Sequence, residues 1–454
     1  MRVHFIAIGG AAMHNLAIAL HLKGFNVSGS DDVIYEPSKT RLTKYGILPK
    51  EEGWHPDLIT KEIDAVILGM HARIDNPELL KAQELQIPIY SYPQYIYEQS
   101  KNKKRIVIGG SHGKTTITSM ILHVLQLQNK DFDYLVGAQI AGFDNMVKLS
   151  NAPVIIIEGD EYLASPIDRR PKFHLYKAHV GIISGVAWDH INVFPTFDSY
   201  KEQFSVFIDT ITEKGKLIYC EEDKVLEEII ANHEFTNDLN VIPYHTPEFK
   251  IVNGKTFLET NDGAVAINVF GRHNLMNLQA AKLVCEDLGI NELEFYRSIS
   301  SFTGASKRLE RLGENKSTLI LKDFAHSPSK LKATIEAVKE QYPERKLVAC
   351  MELHTFSSLN ENFLKEYSNT MNGADFVIVY IDEKTFIQKK LKPFSEKSVM
   401  EAFSNKELKF FNSPEKIKAY LESLPMLNKN LLMMSSGNFG GIDLVSLTKK
   451  LLNQ

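Results

Sequence analysis

A strand that runs into a helix through glycines leaves few folds open. Residues 106–116 have that form: Ile106-Val107-Ile108-Gly109-Gly110-Ser111-His112-Gly113-Lys114-Thr115-Thr116. Three β-branched residues read as a short buried strand. A glycine turn follows, and Ile117, Met120, Ile121 and Val124 continue at helical spacing. Backbone N–H groups presented at a helix N-terminus cradle phosphate. Lys114 adds a positive charge there, and the Thr115 hydroxyl is of the type that reaches a Mg²⁺ held between phosphates. The usual G-x-x-x-x-G-K-[ST] would put glycine where this chain has Ile108; what remains is the shorter Gly110-Ser111-His112-Gly113-Lys114-Thr115. A chance glycine-rich turn is the plain alternative, and the order strand, loop, helix weighs against it.

The same alternation extends in both directions. Residues 3–8 read as a strand, Gly9-Gly10 as a turn, and Met13, Leu16, Ala17 and Leu20 as one helix face. A second strand over 25–29 ends at Ser30-Asp31. This βαβ start raises dinucleotide binding, but the G-x-G-x-x-G fingerprint would fall on Ala7, Gly9 and Ala12. Another nucleotide fits that turn better than NAD. Strands over 65–69 and 88–90 flank a helix over 76–84, and the polar run 100–105 reads as a solvated linker and domain boundary. Beyond the glycine turn, strand 154–157 ends in Glu158-Gly159-Asp160-Glu161, and strand 180–184 leads to Trp188-Asp189-His190. Two strand ends carrying metal-binding groups beside a phosphate loop point to a Mg²⁺ site. A helix over 200–209, strands over 216–219 and 241–244, and a helix start at 271–281 follow. The last third alternates again: strand 318–321, helix 329–340, strand 347–351, helix 362–369, and strands 376–380 and 431–435. It reads as a parallel sheet with helices on both faces.

Size and charge narrow the function. A chain of 454 residues suggests about three domains. A net charge of -4 gives no electrostatic case for nucleic acid or an anionic membrane as main partner. Cys220, Cys285 and Cys350 lie far apart, with neither metal spacing nor a disulfide framework, which suits a reducing cytosol. The first residues lack a signal-peptide layout, and no apolar run approaches the ~20 residues of a membrane span, so a cytoplasmic location is expected.

In this order, the glycine turn, the Glu158 and His190 strand ends, the run His273-Asn274-Leu275-Met276-Asn277 and the run Asp323-Phe324-Ala325-His326-Ser327-Pro328 resemble the Mur ligase family over essentially the whole chain. The resemblance implies an α/β fold of three domains. These are a Rossmann-like N-terminal domain for the UDP-sugar (1–101), a central P-loop ATPase-type domain (102–302), and a C-terminal Rossmann-like domain for the incoming amine (303–454). It implies an ATP-dependent, ADP-forming amide ligase acting through an acyl phosphate on UDP-N-acetylmuramate and an amino acid or peptide. Lys114, Glu158 and His190 would be catalytic. ATP would meet Gly110, Ser111, His112, Gly113, Lys114, Thr115, Thr116, Asn274, Asn277, Arg308 and Asp323. The UDP-sugar would meet Gly9, Gly10, Ala11, Met13, Ser30 and Asp31. Thr115 and Glu158 resemble the ligands of one Mg²⁺, and Glu158 and His190 those of a second.

Finer features separate branches of the family. Tyr162 after the acidic pair, and Asp168-Arg169-Arg170-Pro171-Lys172-Phe173, are similar to the branch that joins a ready-made L-Ala-γ-D-Glu-meso-diaminopimelate tripeptide to UDP-N-acetylmuramate in peptidoglycan recycling. Residues 71–77 and 438–441 point the same way, whereas the branch that adds free L-alanine tends to carry Ser in place of Tyr162. Three departures stand out. Phe204 occupies the place of the carbamylated lysine of later-step ligases. Lys307-Arg308 replaces an Arg-Arg pair, which keeps charge but not the forked geometry. Glu352-Leu353-His354 stands where an arginine-rich segment after Glu-Pro is expected. Besides the L-alanine ligase, the competing readings are a nucleotide-gated UDP-sugar-binding protein without ligase activity and a nicotinamide dehydrogenase.

Overall fold

Strand Lys104–Gly109 lies in the middle of a seven-stranded sheet, where Ile106, Val107 and Ile108 are wholly buried. The computed structural model describes residues 1–140, 142–188 and 193–453. Across the sheet the strands run Asn240–Tyr244, Lys216–Cys220, Val180–Ile183, Lys104–Gly109, Val154–Glu158, Asp133–Leu135 and Val147–Lys148. All neighbours are parallel except the last pair. Ile108 pairs with both Glu158 and Ile182, so three strands end at one level. The segments after them emerge on one edge, where ligands of parallel sheets bind.

Two compact units divide the chain. The first comprises residues 1–188, 193–245 and 280–291, and the second is built on 246–279 and on residues from 292 onward. The first unit holds the seven-stranded sheet and a four-stranded parallel sheet, ordered Asn26–Ser30, Arg2–Ile6, Ala65–Leu68 and Ile89–Ser91. Its helix Ala11–Leu22 starts directly after Gly9-Gly10 and buries Leu16 and Leu20 completely.

The second unit has a six-stranded sheet, ordered Glu310–Glu314, Leu319–Asp323, Lys429–Met434, Lys346–Glu352, Phe376–Tyr380 and Lys409–Phe411. Its strands bury both faces by simple alternation: Leu319 and Leu321 join one core, Ile320 the other. The edge strand Glu310–Glu314 is antiparallel, which the reading of an all-parallel sheet lacked. The same unit contains a three-stranded antiparallel sheet, Phe249–Val252, Lys255–Thr260 and Gly263–Ile267, not foreseen from the sequence. The helix expected over 362–369 is instead one turn, Glu361–Leu364, followed by the 3-10 turn Lys365–Tyr367. Among the described residues, no helix is long and apolar enough to cross a membrane.

The run 100–105 is not a solvated linker. Lys103 and Arg105 are 9% and 4% exposed. The Lys103 ammonium pairs with buried Asp133 at 2.8 Å. Arg105 spends its guanidinium on carbonyls: Nη1 donates to Ser100, Lys101 and Lys103 at 2.8, 3.1 and 3.3 Å, and Nε to Tyr176 and Lys177 at 2.8 and 3.0 Å. Helix Tyr92–Ser100 ends in carbonyls with no partner inside the helix; Ser100 takes the Lys103 N–H and still has a lone pair for a cation, which is favoured at a helix C-terminus. The forked donor thus welds the last helix of the N-terminal sheet to the central sheet. A second tie joins the same parts: Asn145 Nδ2 donates to the Asn15 carbonyl at 2.9 Å, and the Met146 N–H to Asn15 Oδ1 at 3.1 Å. Arg105→Ala is expected to cost about 3 kcal/mol, because it leaves buried carbonyls unpaired. Thermal melting should show an apparent Tm lower by roughly 6 °C. Arg105→Lys should recover only part of it, since an ammonium lacks the planar fork.

Candidate functional site

The turn between strand Lys104–Gly109 and helix Lys114–Leu127 holds Gly110 at φ +124° and Gly113 at φ +80°, both left-handed. A Cβ on Gly110 would run into the Ser184 side chain and come within 2.9 Å of the Ser184 nitrogen. The turn is locked from that side: the Ser111 N–H donates to the Gly185 carbonyl at 3.0 Å, and the Ser184 hydroxyl donates to Gly109 and His112 carbonyls. Lys114 is the first residue of the helix, with Thr115 and the buried Thr116 next. Its ammonium donates to the Gly110 carbonyl at 2.5 Å and to Glu161 Oε2 at 2.7 Å. Burial opposes that charge, but the carboxylates of Glu161 and Asp160 and the bond to Glu161 hold the Lys114 ammonium above the ordinary lysine range.

Glu158 ends its strand at the same edge and is 8% exposed. Its Oε1 accepts the Thr115 hydroxyl at 2.8 Å and its Oε2 the Gly137 N–H at 2.9 Å. Both of these hydrogen bonds come from neutral donors, and the Lys114 ammonium also lies within electrostatic reach of the Glu158 carboxylate. A carboxylate beside a hydroxyl, at the mouth of a phosphate turn, is an oxygen donor set that suits Mg²⁺, which takes few protein ligands and completes its shell with phosphates and water. His190, expected as a further ligand, lies outside the described residues.

The structure also brings in residues that the sequence reading left without a role. Tyr200, wholly buried on helix Phe197–Asp209, donates its hydroxyl to Glu161 Oε1 at 2.9 Å and lies 2.9 Å from Ser111 Oγ. Ser111 Oγ in turn accepts the Ala187 N–H at 2.9 Å. Glu161 itself stood in the acidic strand end, and its position three residues past Glu158 was the available signal.

A second turn in the same unit gathers Gly9, Gly10, Ala11, Ser30 and Asp31. Asp31 accepts the Gly9 N–H at 2.7 Å, and the Ser30 carbonyl accepts the Ala7 and Ile8 N–H groups at 2.9 and 3.1 Å. Burial and the adjacent Asp32 push the Asp31 carboxyl up to about 6. Ala11 opens the helix and is exposed, whereas Met13 packs inward at 5% exposure. The remaining expected nucleotide residues lie in the second unit. Asn274 and Asn277 are buried on helix Arg272–Asp287, and Asn274 Nδ2 donates to the Phe270 carbonyl at 2.9 Å. Asp323 accepts the Leu309 and Ala325 N–H groups at 2.7 and 2.6 Å; burial raises its pKa, against the pull of Arg308. The Arg308 guanidinium lies 4.7 Å from the Phe324 ring.

Comparison with known proteins agrees along the chain. Three family descriptions match in series: Mur ligase family, catalytic domain, over residues 2–104; Mur ligase middle domain over 108–285; and Mur ligase, glutamate ligase domain, over 307–437. A UDP-N-acetylmuramate–L-alanine ligase of Clostridium kluyveri is 32% identical over 83% of this chain and 82% of its own. Among solved structures, the murein peptide ligase of Psychrobacter arcticus aligns over 100% of this chain and 99% of its own, at 22% identity and a TM-score of 0.65. The UDP-N-acetylmuramate-alanine ligase of Thermotoga maritima aligns over 100% and 98%, at 20% identity and a TM-score of 0.68.

The Glu158 geometry gives a direct test. A methyl group on Gly137 would lie 2.9 Å from Glu158 Oε1. Gly137→Ala should displace the carboxylate while sparing the fold, because residue 137 is exposed. Mg²⁺-dependent ATP turnover is expected to fall about 10²-fold with an unchanged melting curve.

Proposed function

Because this chain belongs to the Mur ligase family of ATP-dependent, ADP-forming amide ligases, we propose that it activates the carboxylate of UDP-N-acetylmuramate and joins it to an amine. The observation that carries the reading is the Lys114 ammonium, held at a helix N-terminus one residue before Thr115 and its contact with Glu158. A carboxylate is a poor electrophile. Its oxygen attacks the γ-phosphorus and ADP departs, leaving an acyl phosphate. The amine nitrogen then attacks the acyl carbon, phosphate leaves, and the nitrogen sheds a proton. Two anions must approach in the first step, so cationic groups decide the rate.

Each residue has a task in this scheme. Lys114 and the backbone of residues 110–116, apart from the Ser111 N–H already bonded to Gly185, would meet the β- and γ-phosphates. Thr115 and Glu158 would hold one Mg²⁺, and Glu158 with His190 a second; bound there, Mg²⁺ supplies neutralisation and alignment of phosphate and carboxylate. Asn274, Asn277, Arg308 and Asp323 serve the nucleotide, and Gly9, Gly10, Ala11, Met13, Ser30 and Asp31 the UDP-sugar. The segment 102–302 is taken as the ATP-holding domain, between UDP-sugar (1–101) and amine (303–454) domains.

For the amine, the name carried by the Clostridium kluyveri relative supports L-alanine over the tripeptide that Tyr162 implied. The tripeptide remains the second reading on one local observation. The segment after Glu161 is a tied loop, with Lys172 Nζ 2.6 Å from Asp160 and 5.9 Å from the Tyr162 ring, and Arg170 2.7 Å from Asp168. It fixes a large phenol where a small hydroxyl is usual for L-alanine. Phosphate release with ATP, Mg²⁺ and UDP-N-acetylmuramate, offering each amine in turn, decides: turnover with L-alanine sustains the first reading, and turnover with tripeptide alone replaces it by the second. Lys114→Ala should lower phosphate release about 10³-fold while leaving UDP-N-acetylmuramate affinity, measured by calorimetry, within roughly twofold. Near-normal turnover in that variant would remove Lys114 from the mechanism.

A further inference from the structure

Glu161 and Tyr200 have no task in the scheme above, yet Glu161 touches its central cation and Tyr200 touches Glu161. Glu161 is 1% exposed, and a carboxylate that deep is costly unless something specific holds it. The Lys114 ammonium on Oε2 and the Tyr200 hydroxyl on Oε1 are among the groups that do. Through Tyr200 and Ser111 the same bonds reach the Ala187 N–H. One connected set of side chains thus ties together the glycine turn, the strand end 158–161 and the segment 184–188.

We propose that Glu161 is a positioning residue that sets the orientation of the Lys114 ammonium, and that Tyr200 fixes Glu161 in turn; this rests on Lys114 acting on the nucleotide phosphates. An ammonium on a four-carbon stem has three N–H donors and turns freely about its last bond. The Gly110 carbonyl and Glu161 Oε2 occupy two of these donors from fixed places. Among the described residues the third donor is left for a phosphate oxygen, with its direction already set. The arrangement has an opposing side: the Glu161 carboxylate is a negative charge beside the incoming triphosphate and weakens its binding. Orientation and affinity therefore pull apart at this residue.

Glu161→Gln separates them. It removes the charge, keeps the side-chain size, and offers one carbonyl oxygen to Lys114 with its NH₂ turned to the Tyr200 oxygen, which can accept. Phosphate release at saturating ATP is expected to fall about 10²-fold, while mant-ATP with Mg²⁺ binds as tightly as to the wild type or tighter. A merely structural contribution would weaken nucleotide binding together with turnover. Glu161→Asp, which restores the charge, should recover part of the rate. Tyr200→Phe, which loses one oxygen and keeps the ring between Phe194 and Phe204, should cost about tenfold in rate without weakening mant-ATP, and it carries the test if Glu161→Gln fails to fold. An unchanged rate in Glu161→Gln, or weaker mant-ATP binding, overturns the proposal. A wild type that binds mant-ATP but releases no phosphate with any amine overturns the ligase reading instead; the positioning role is then decided by mant-ATP affinity alone, sustained if Glu161→Gln binds more tightly and overturned if it does not.

Discussion

The backbone of Gly110 lies against Ser184 with no space for a side chain, and this edge of the sheet is built out from that contact. Two parallel strands can bring their ends so close only if the turn between one of them and its helix carries no Cβ and accepts a left-handed φ. Once the turn is pressed down, the Ser184 hydroxyl and the Gly185 carbonyl can bond its backbone directly. The helix N-terminus then has one possible direction, and Lys114, Thr115 and their carboxylate partners follow from it.

Charge at this edge is arranged as two close ion pairs with a third carboxylate beside them. Lys114 is matched by Glu161 and Lys172 by Asp160. Glu158, between them in the sequence, takes only a hydroxyl and an amide N–H among the described residues. On the proposed reading, Glu158 is the carboxylate that would take a divalent cation. The matched pair beside it holds the ammonium fixed before any phosphate arrives. On that reading metal and lysine would be served by different carboxylates three residues apart, so neither would have to give up its partner to the other.

What could be read from the sequence was what repeats locally. The glycine turn, the strand–helix alternation and the Glu158 strand end are patterns over a dozen residues, and the structure places them as read. Partnerships between distant segments were not legible. Nothing local distinguishes Arg105 from its solvated neighbours in a basic run; its burial depends on helix-end carbonyls and on residues 176–177, which only folding brings near. Glu161 and Tyr200 are 39 residues apart and meet only in the folded chain. The three-stranded sheet is a different kind of miss. Asn253-Gly254, both with left-handed φ, turns between Val252 and Lys255. Asn-Gly between alternating residues is a strong hairpin signal, and the expectation of a continuing α/β alternation hid it. The helix expected over 362–369 failed because its spacing was taken without an end signal, and the chain turns at Ser368 and Asn369 instead.

The Arg105 weld bears on which changes in chain length this protein can absorb. Loops between domains are ordinarily where insertions and deletions collect, because a longer tether costs little entropy and disturbs no packing. Here the connection acts as a ruler. Five carbonyls converge on one planar group, and Asn15 and Asn145 fix the same distance independently. Adding one residue between 101 and 105 would rotate the fork away from its acceptors and shift the Gly9 turn against the Gly110 turn. Drift in this stretch is therefore confined to side chains that keep the count, whereas the distance between the Gly9 and Gly110 turns is set when the chain folds.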